Sequence, residues 1–233
     1  MPESNLTLPN KQKSSPTNPY LDLWAWSCQA LFWAGPTADT VRVRQSHHLL
    51  PIFYHHFGCV VPTQDAVHIL GQLTKPAGSK NPPREIIEIG SGNGYWTYLL
   101  RRHGLTVTAV DNGLSAWRTL WISDTVAADG ATYLRKRQGA TEVAVLLLVY
   151  PQVSNEFTSN VIRAFQGDAM VVAGTQNANG YTGFADERVD TWVERERPEY
   201  EKVLQIPLPS FAAKDEALFV FRKRKESLGA SKS

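Results

Sequence analysis

The sequence predicts an α/β fold built on a seven-stranded, mostly parallel sheet, with a C-terminal antiparallel hairpin and an N-terminal helical extension. Three observations carry this. From residue 84 onward, short apolar runs alternate with stretches of helical pattern. A turn rich in glycine joins the first apolar run to the helix after it. The last two runs are separated only by a short linker (PSFAAK), too brief for a crossover helix, so they should pair antiparallel.

Taken in order, residues 1–19 are polar and proline-punctuated, and are expected to be a disordered tail. Residues 20–82 form an aromatic-rich helical extension or lid, in which Leu21, Trp24 and Leu31 suit helical packing. A further helix is expected over 64–73 with Thr63 as N-cap. The core then occupies 83–224. Strands are expected at 85–89, 105–110, 125–128, 143–150, 169–173, 200–208 and 216–222. Helices are expected at 95–103, closed by Gly104, and at 114–122, 131–138, 155–165 and 186–196. Residues 225–233 complete a basic tail.

Composition narrows the function classes. The 233 residues are 42% hydrophobic and 20% charged, near globular averages, which excludes wholesale disorder. A net charge of +2 is too balanced for a dedicated nucleic-acid binder. The two cysteines, Cys28 and Cys59, stand far apart in no paired motif, which excludes a disulfide scaffold and a zinc–cysteine site and fits a reducing compartment. The longest nearly uncharged apolar run, 143–149, is strand length, and the N-terminus has no apolar segment of the signal-peptide kind. A soluble, cytoplasmic protein is the expectation.

The sharpest motif is EIIEIGSGNGYW, residues 85–96. A strand ends at Glu88 and Ile89, glycines follow at Gly90, Gly92 and Gly94, with Ser91 and Asn93 between them, and a helix begins. Glycine permits a tight turn and close backbone approach to a ligand, and the helix N-terminus adds N–H donors. A dinucleotide fingerprint would place its third glycine where Tyr95 stands. A carboxylate at Glu88 suits a sulfonium or ammonium better than a pyrophosphate. Further along, Asp111 and Asn112 end the second strand, where an acid could accept from ribose hydroxyls. Asp129 and Gly130 precede the helix from Ala131, where an acid could equally be an N-cap. Val149, Tyr150 and Pro151 follow the most apolar strand. A loop rich in Asn and Gly, 175–184, opens with Gln176 on the same edge. Glu88, Asp111, Asp129, Tyr150 and Gln176 thus mark the carboxyl ends of successive strands, where open α/β sheets bind ligands.

These motifs resemble the class I S-adenosylmethionine-dependent methyltransferases, a Rossmann-like superfamily. More narrowly, Val61-Pro62-Thr63, EIGSGNGYW, AVDN, LLLVYP, the turn at Gly167-Asp168, the loop ending Tyr181-Thr182-Gly183, and ALFVFRK look like a largely uncharacterised methyltransferase-like group. The resemblance implies S-adenosyl-L-methionine as cofactor, held by the glycine loop, Asp111, Asn112, Asp129, Gly130 and Val149, with Asp129 accepting from the adenine amino group. It puts Tyr150 and Pro151 beside the transferred methyl. Related members tend to read Trp-Pro-Pro-Tyr where this chain has Tyr150-Pro151-Gln152-Val153, so the segment supports no particular acceptor atom.

Methyl transfer is an in-line displacement from an already activated sulfonium, so positioning carries much of it. An alcohol or phenol acceptor would benefit from a base, for which His55 and His56 are the candidates. The pairs His47-His48 and His55-His56 stand about two helical turns apart, but Pro51 interrupts that helix and no acid or cysteine completes a ligand set, so no metal is expected. The leading expectation is a methyltransferase on a small-molecule acceptor, with a protein side chain left open and nucleic acid argued against by the charge balance. The alternatives are a non-catalytic S-adenosylmethionine-binding or protein-interaction module that kept the fold, and a nicotinamide oxidoreductase.

Overall fold

The computed structural model describes residues 16–31, 38, 50–76, 82–137, 143–153, 156–178 and 181–224. Its N-terminal helices are α1 (Pro19–Ala30), α2 (Leu50–Phe57) and α3 (Gln64–Leu73). The core follows as β1 (Ile86–Ile89), α4 (Tyr95–Arg102), β2 (Val107–Asp111), β3 (Val126–Ala127), α5 (Gly130–Lys136) and β4 (Val145–Val149). It continues with α6 (Phe157–Ala164), β5 (Ala169–Thr175), α7 (Val189–Glu196), β6 (Tyr200–Pro207) and β7 (Glu216–Lys223).

The strands form one seven-stranded sheet in the order β3-β2-β1-β4-β5-β7-β6. The first five strands run parallel; β7 lies antiparallel between β5 and β6. This is the expected Rossmann-like architecture, hairpin included. Period-two alternation sends successive side chains to opposite faces. Ile86, Val145, Leu147 and Val171 pack with Leu70 of α3 and Leu100 of α4, while Ile87, Ile89, Leu146 and Val172 pack with Leu134, Ile162 and Val193 of α5, α6 and α7. Burial on both faces explains why β4 and β5 read as unbroken apolar runs.

A third apolar cluster joins the N-terminal helices to α4. Tyr20, Phe53 and Leu50 pack on Tyr95 and Phe211. The ring of Phe57 stacks on Tyr20 at 4.8 Å and on Trp121 at 5.6 Å. The buried side chain of Asn18 ties this cluster down: it accepts from Leu21 N as the N-cap of α1, accepts from Tyr95 Oη at 2.7 Å and donates to Pro62 O at 2.8 Å. The tail expected through residue 19 therefore ends before Asn18; its first fifteen positions, and those expected as the tail over 225–233, lie outside the described residues. Thr63 caps α3 as expected, accepting from Ala66 N at 3.1 Å. Among the described residues α2 begins at Leu50, with Pro51 in its first turn, where a proline's missing N–H costs no hydrogen bond. His47 and His48 lie outside the described residues.

One expected element is absent. Residues 114–122 form no helix. Their backbone bonds reach other elements: Arg118 N donates to His55 O at 3.1 Å, and Trp121 N donates to Asn93 O at 2.9 Å. Trp117 and Trp121 are drawn toward the glycine loop and the aromatic cluster, and that pull outweighs the local helical pattern. No helix among the described residues is long and apolar enough to cross a membrane.

Gly130 opens α5 directly against β1, and a Cβ there would stand 2.2 Å from Ile89 Cγ2. Gly130→Ala should therefore overpack this contact and destabilise the fold by about 1–3 kcal/mol, read as a lowered urea midpoint.

Candidate functional site

A cavity of about 300 Å³ opens at the carboxyl edge of the sheet, at the small end of the range for small-molecule sites. The loop after β1 forms its floor. Gly90, Gly92 and Gly94 have φ of 74°, 56° and 77°, left-handed values that only glycine adopts freely. The end of β2 fixes this loop: Gly90 N and Ser91 N donate to Val110 O at 2.8 and 3.1 Å, and Gly92 N donates to Asp111 Oδ2 at 2.8 Å. Gly94 N donates to Ser91 O and Tyr95 N to Asn93 Oδ1. The amides of these five residues are thus bonded within the protein. They do not form the cradle of free N–H groups that a pyrophosphate requires.

Most of the expected residues meet here. Glu88, Gly90, Ser91, Gly92, Asn93, Asp111, Asn112, Asp129, Gly130, Val149, Tyr150 and Pro151 all line the cavity. Gly94 does not. It caps α4 from behind, and a Cβ on it would stand 2.3 Å from Ile122 Cγ1, so its role is packing.

The acids differ in environment. Glu88 is 1% exposed and accepts from the Thr97 hydroxyl. Burial pushes its carboxyl up to about 7, against the Thr97 hydrogen bonds that pull it down, with Asp111 adding a smaller upward push and Arg101 a downward one. Asp111 accepts from Gly92 N with one oxygen and from Gly113 N, at 2.7 Å, with the other, while its carboxylate edges the cavity. Asn112 spends its Oδ1 on Leu114 N at 3.1 Å. Asp129 is the N-cap of α5, accepting from Thr132 N at 2.8 Å, and the Thr132 hydrogen bonds hold its carboxyl below the usual range. Two buried polar atoms of the floor, Ser91 Oγ and Asn93 Nδ2, lack a hydrogen-bond partner among the described residues. Native interiors rarely leave such atoms unsatisfied.

At the end of β4, Tyr150 takes φ 48° and donates its backbone N–H to Ala173 O at 2.7 Å. A positive φ on a residue with a Cβ stores local strain, and the flanking bonds sustain it. The loop after β5 braces the same turn: Gly183 N donates to Pro151 O at 2.7 Å, and Thr182 bridges to Gln152. Tyr150 meets Tyr54 of α2 edge-on, with ring centroids 5.9 Å apart.

Three candidates fall elsewhere. His55 is exposed, and His56 bonds Thr119 Oγ1 through Nδ1 at 2.8 Å; neither lines the cavity, because α2 turns Phe57 toward it instead. Gln176 faces the C-terminal hairpin, accepting from Gln205 at 3.1 Å. Conversely, Phe57, Gly58 and Cys59 from the extension, Leu114, Ser115 and Trp117 from the loop after β2, and Phe157 of α6 complete the wall. Sequence reasoning missed these. Phe57-Gly58 and Trp117 could have been suspected as a glycine after a helix and an aromatic beside an acidic loop, but their proximity is a tertiary fact.

No family model matches the chain. A segment of 54 residues is 39% identical to the ribosomal RNA large subunit methyltransferase M of Halorhodospira halophila (strain DSM 244 / SL1), taking in 23% of this chain. The chain spans only 15% of the length of that curated relative. Among solved structures, the N-methyltransferase NodS from Bradyrhizobium japonicum WM9, in complex with S-adenosyl-L-homocysteine, is 16% identical, with 70% of this chain and 87% of that one covered at a TM-score of 0.42. The magnesium protoporphyrin IX methyltransferase ChlM from Synechocystis PCC 6803, with the same molecule bound, is 10% identical, with 60% and 73% covered at 0.42. An rRNA methylase from Streptococcus thermophilus is 14% identical, with 61% and 89% covered at 0.40.

Glu88 sets a pH test. Its carboxyl moves from 4.5 up to about 7 on folding, so between those values the folded chain keeps a proton that the unfolded chain has released. Stability should fall as pH rises through that window and level off above it. Urea titrations at pH 5 and pH 7.5 should show that Glu88→Gln removes about 2–3 kcal/mol of this loss.

The seven-stranded sheet, the glycine turn after its first strand and the closing antiparallel hairpin give this chain the Rossmann-like α/β fold expected of a class I methyltransferase.

Proposed function

We propose that the protein is an S-adenosylmethionine-dependent methyltransferase acting on a small-molecule acceptor. The observation that carries this reading is the floor of the cavity. The amides of Gly90, Ser91, Gly92, Gly94 and Tyr95 are bonded within the protein, and an acid sits beneath at Glu88, which favours a ligand recognised through carboxylates and side chains rather than through phosphate. The same observation stands against a nicotinamide cofactor.

The chain's residues fit the cofactor. Asp111 at the end of β2 is placed to accept from the ribose hydroxyls while its other contacts hold the loop. Asp129 offers a carboxylate oxygen on the adenine side, and Ser91 Oγ and Asn93 Nδ2 supply unpaired polar atoms along the floor. Bound there, the cofactor supplies a methyl on a sulfonium leaving group. The protein's task is then to orient the acceptor for in-line attack and to exclude water. Tyr150 and Pro151 edge the site from β4, and Phe57, Gly58 and Cys59 cover it from the extension. Neither His55 nor His56, the bases expected from the sequence, lines the cavity. Burial pushes the Tyr150 hydroxyl up as well, leaving it a donor and ring surface.

The covered cavity favours a small acceptor. The curated relative is a ribosomal RNA methyltransferase, so the charge-based argument against nucleic acid gains no support from the comparisons, and RNA belongs among the acceptors screened. Turnover to S-adenosylhomocysteine with any acceptor separates the enzyme from a binding module that kept the fold.

Calorimetric titration should show micromolar affinity for S-adenosylmethionine and none for NAD; the reverse result would overturn the reading. Asp111→Ala should weaken the cofactor by about 1–3 kcal/mol, the scale of lost charge-assisted hydrogen bonds. Gly92→Val should abolish binding, since a Cβ there meets Trp117 Cζ2 at 2.8 Å and φ is 56°. Circular dichroism on each variant should confirm that the sheet is retained.

A further inference from the structure

A second carboxylate lies at the same sheet edge, and the functional reading above does not use it. Glu216 opens β7, in register with Thr175 at the carboxyl end of β5. Alternation along β7 puts it on the face of Leu218 and Val220, the face covered by α3, α4 and the N-terminal extension. It is 2% exposed, and neither carboxylate oxygen has a hydrogen-bond partner among the described residues. The neighbouring Ser210 hydroxyl donates to Leu208 O instead. A buried carboxylate with both oxygens unpaired is costly, and native proteins keep such groups chiefly where a ligand completes them.

Its surroundings are aromatic. The charge of Glu216 is felt by Tyr54, by Tyr150 and by Cys59, and the last two also line the cofactor cavity. Glu216 opens β7 opposite Thr175, and Ala173 of the same strand β5 takes the backbone N–H of Tyr150, so the carboxylate lies at the sheet edge one strand from the turn that carries Tyr150. Lys214 is the cation in the same field, but its ammonium lies 3.3 Å from the centroid of the Tyr181 ring rather than in an ion pair with Glu216. Strands β4 and β7 are two spacings apart, roughly 10 Å, which is the reach of a small molecule whose far end is fixed while its other end meets the end of β4.

Resting on the methyltransferase reading, we propose that Glu216, at the strand edge beside the turn that carries Tyr150, is the acceptor-anchoring subsite and binds an ammonium group of the acceptor. Tyrosine faces attract a cation, and a desolvated carboxylate pairs with one more strongly than with a neutral hydroxyl. The acceptor class this selects is a small organic amine held through its charged nitrogen, with the methylated atom lying toward Tyr150. Burial raises the Glu216 carboxyl to about 7, so a bound cation would also draw it into its charged form.

The test uses the full chain, with benzylamine and the neutral isostere benzyl alcohol as probes, titrated calorimetrically with and without S-adenosylhomocysteine. The wild-type protein should bind benzylamine at least tenfold more tightly than benzyl alcohol, and Glu216→Gln should bind the two alike. Equal binding by the wild type, or a preference that survives in Glu216→Gln, would overturn the proposal. Glu216→Met serves as the second variant, with thermal melts on both; loss of a lone buried carboxyl should hold or raise Tm. Failure of S-adenosylhomocysteine to bind the wild type would overturn the cofactor reading alone, since the amine preference is read separately in its absence.

Discussion

The site depends on how the end of β2 grips the loop after β1. Val110 O takes the N–H groups of Gly90 and Ser91, and Asp111 takes that of Gly92. These bonds require the left-handed turns that the glycines allow, and they leave the loop with side-chain atoms rather than amides facing the cavity. Asp111 thereby has two tasks: it fixes the turn and presents a carboxylate edge to the ligand. Removing it acts on the loop's shape as well as on direct recognition.

The N-terminal extension is tied to the same loop. Trp121 N donates to Asn93 O, and the Trp121 indole donates to His56 O at 2.6 Å. The Trp96 indole donates to Val60 O at 2.9 Å, and Tyr95, just past the glycines, bonds Asn18. Aromatic stacking of Tyr20, Phe57 and Trp121 supplies the apolar part of this junction. Through it, residues more than thirty positions upstream of the loop form one wall of the cavity, and anything that reorganises the floor is transmitted to the cover.

Two carboxylates at this edge are buried and pushed up to about 7, yet they differ in kind. Glu88 has the Thr97 hydroxyl as a partner beneath the cavity floor. The Glu216 carboxylate has no hydrogen-bond partner among the described residues and opens β7, outside the cavity lining. Tyr150, held at a strained φ, stands on the cavity wall at the end of β4.

The sequence by itself determined most of the elements and most of the residues that meet on the cavity floor. Alternating apolar runs, the Thr63 cap, the glycine turn and the acids at strand ends are local signals, set by backbone sterics and side-chain period. The same locality explains the misses. Residues 114–122 carry a helical pattern, but their bonds go to His55 and Asn93, which no window along the chain contains. Histidines 55 and 56 are adjacent in the chain to the wall, yet the turn of α2 puts Phe57 there instead. Glu216 reads as one acid at the start of an apolar strand. Only the packing of β7 beneath the extension strips it of water and of partners, because burial is decided by distant segments arriving at one place.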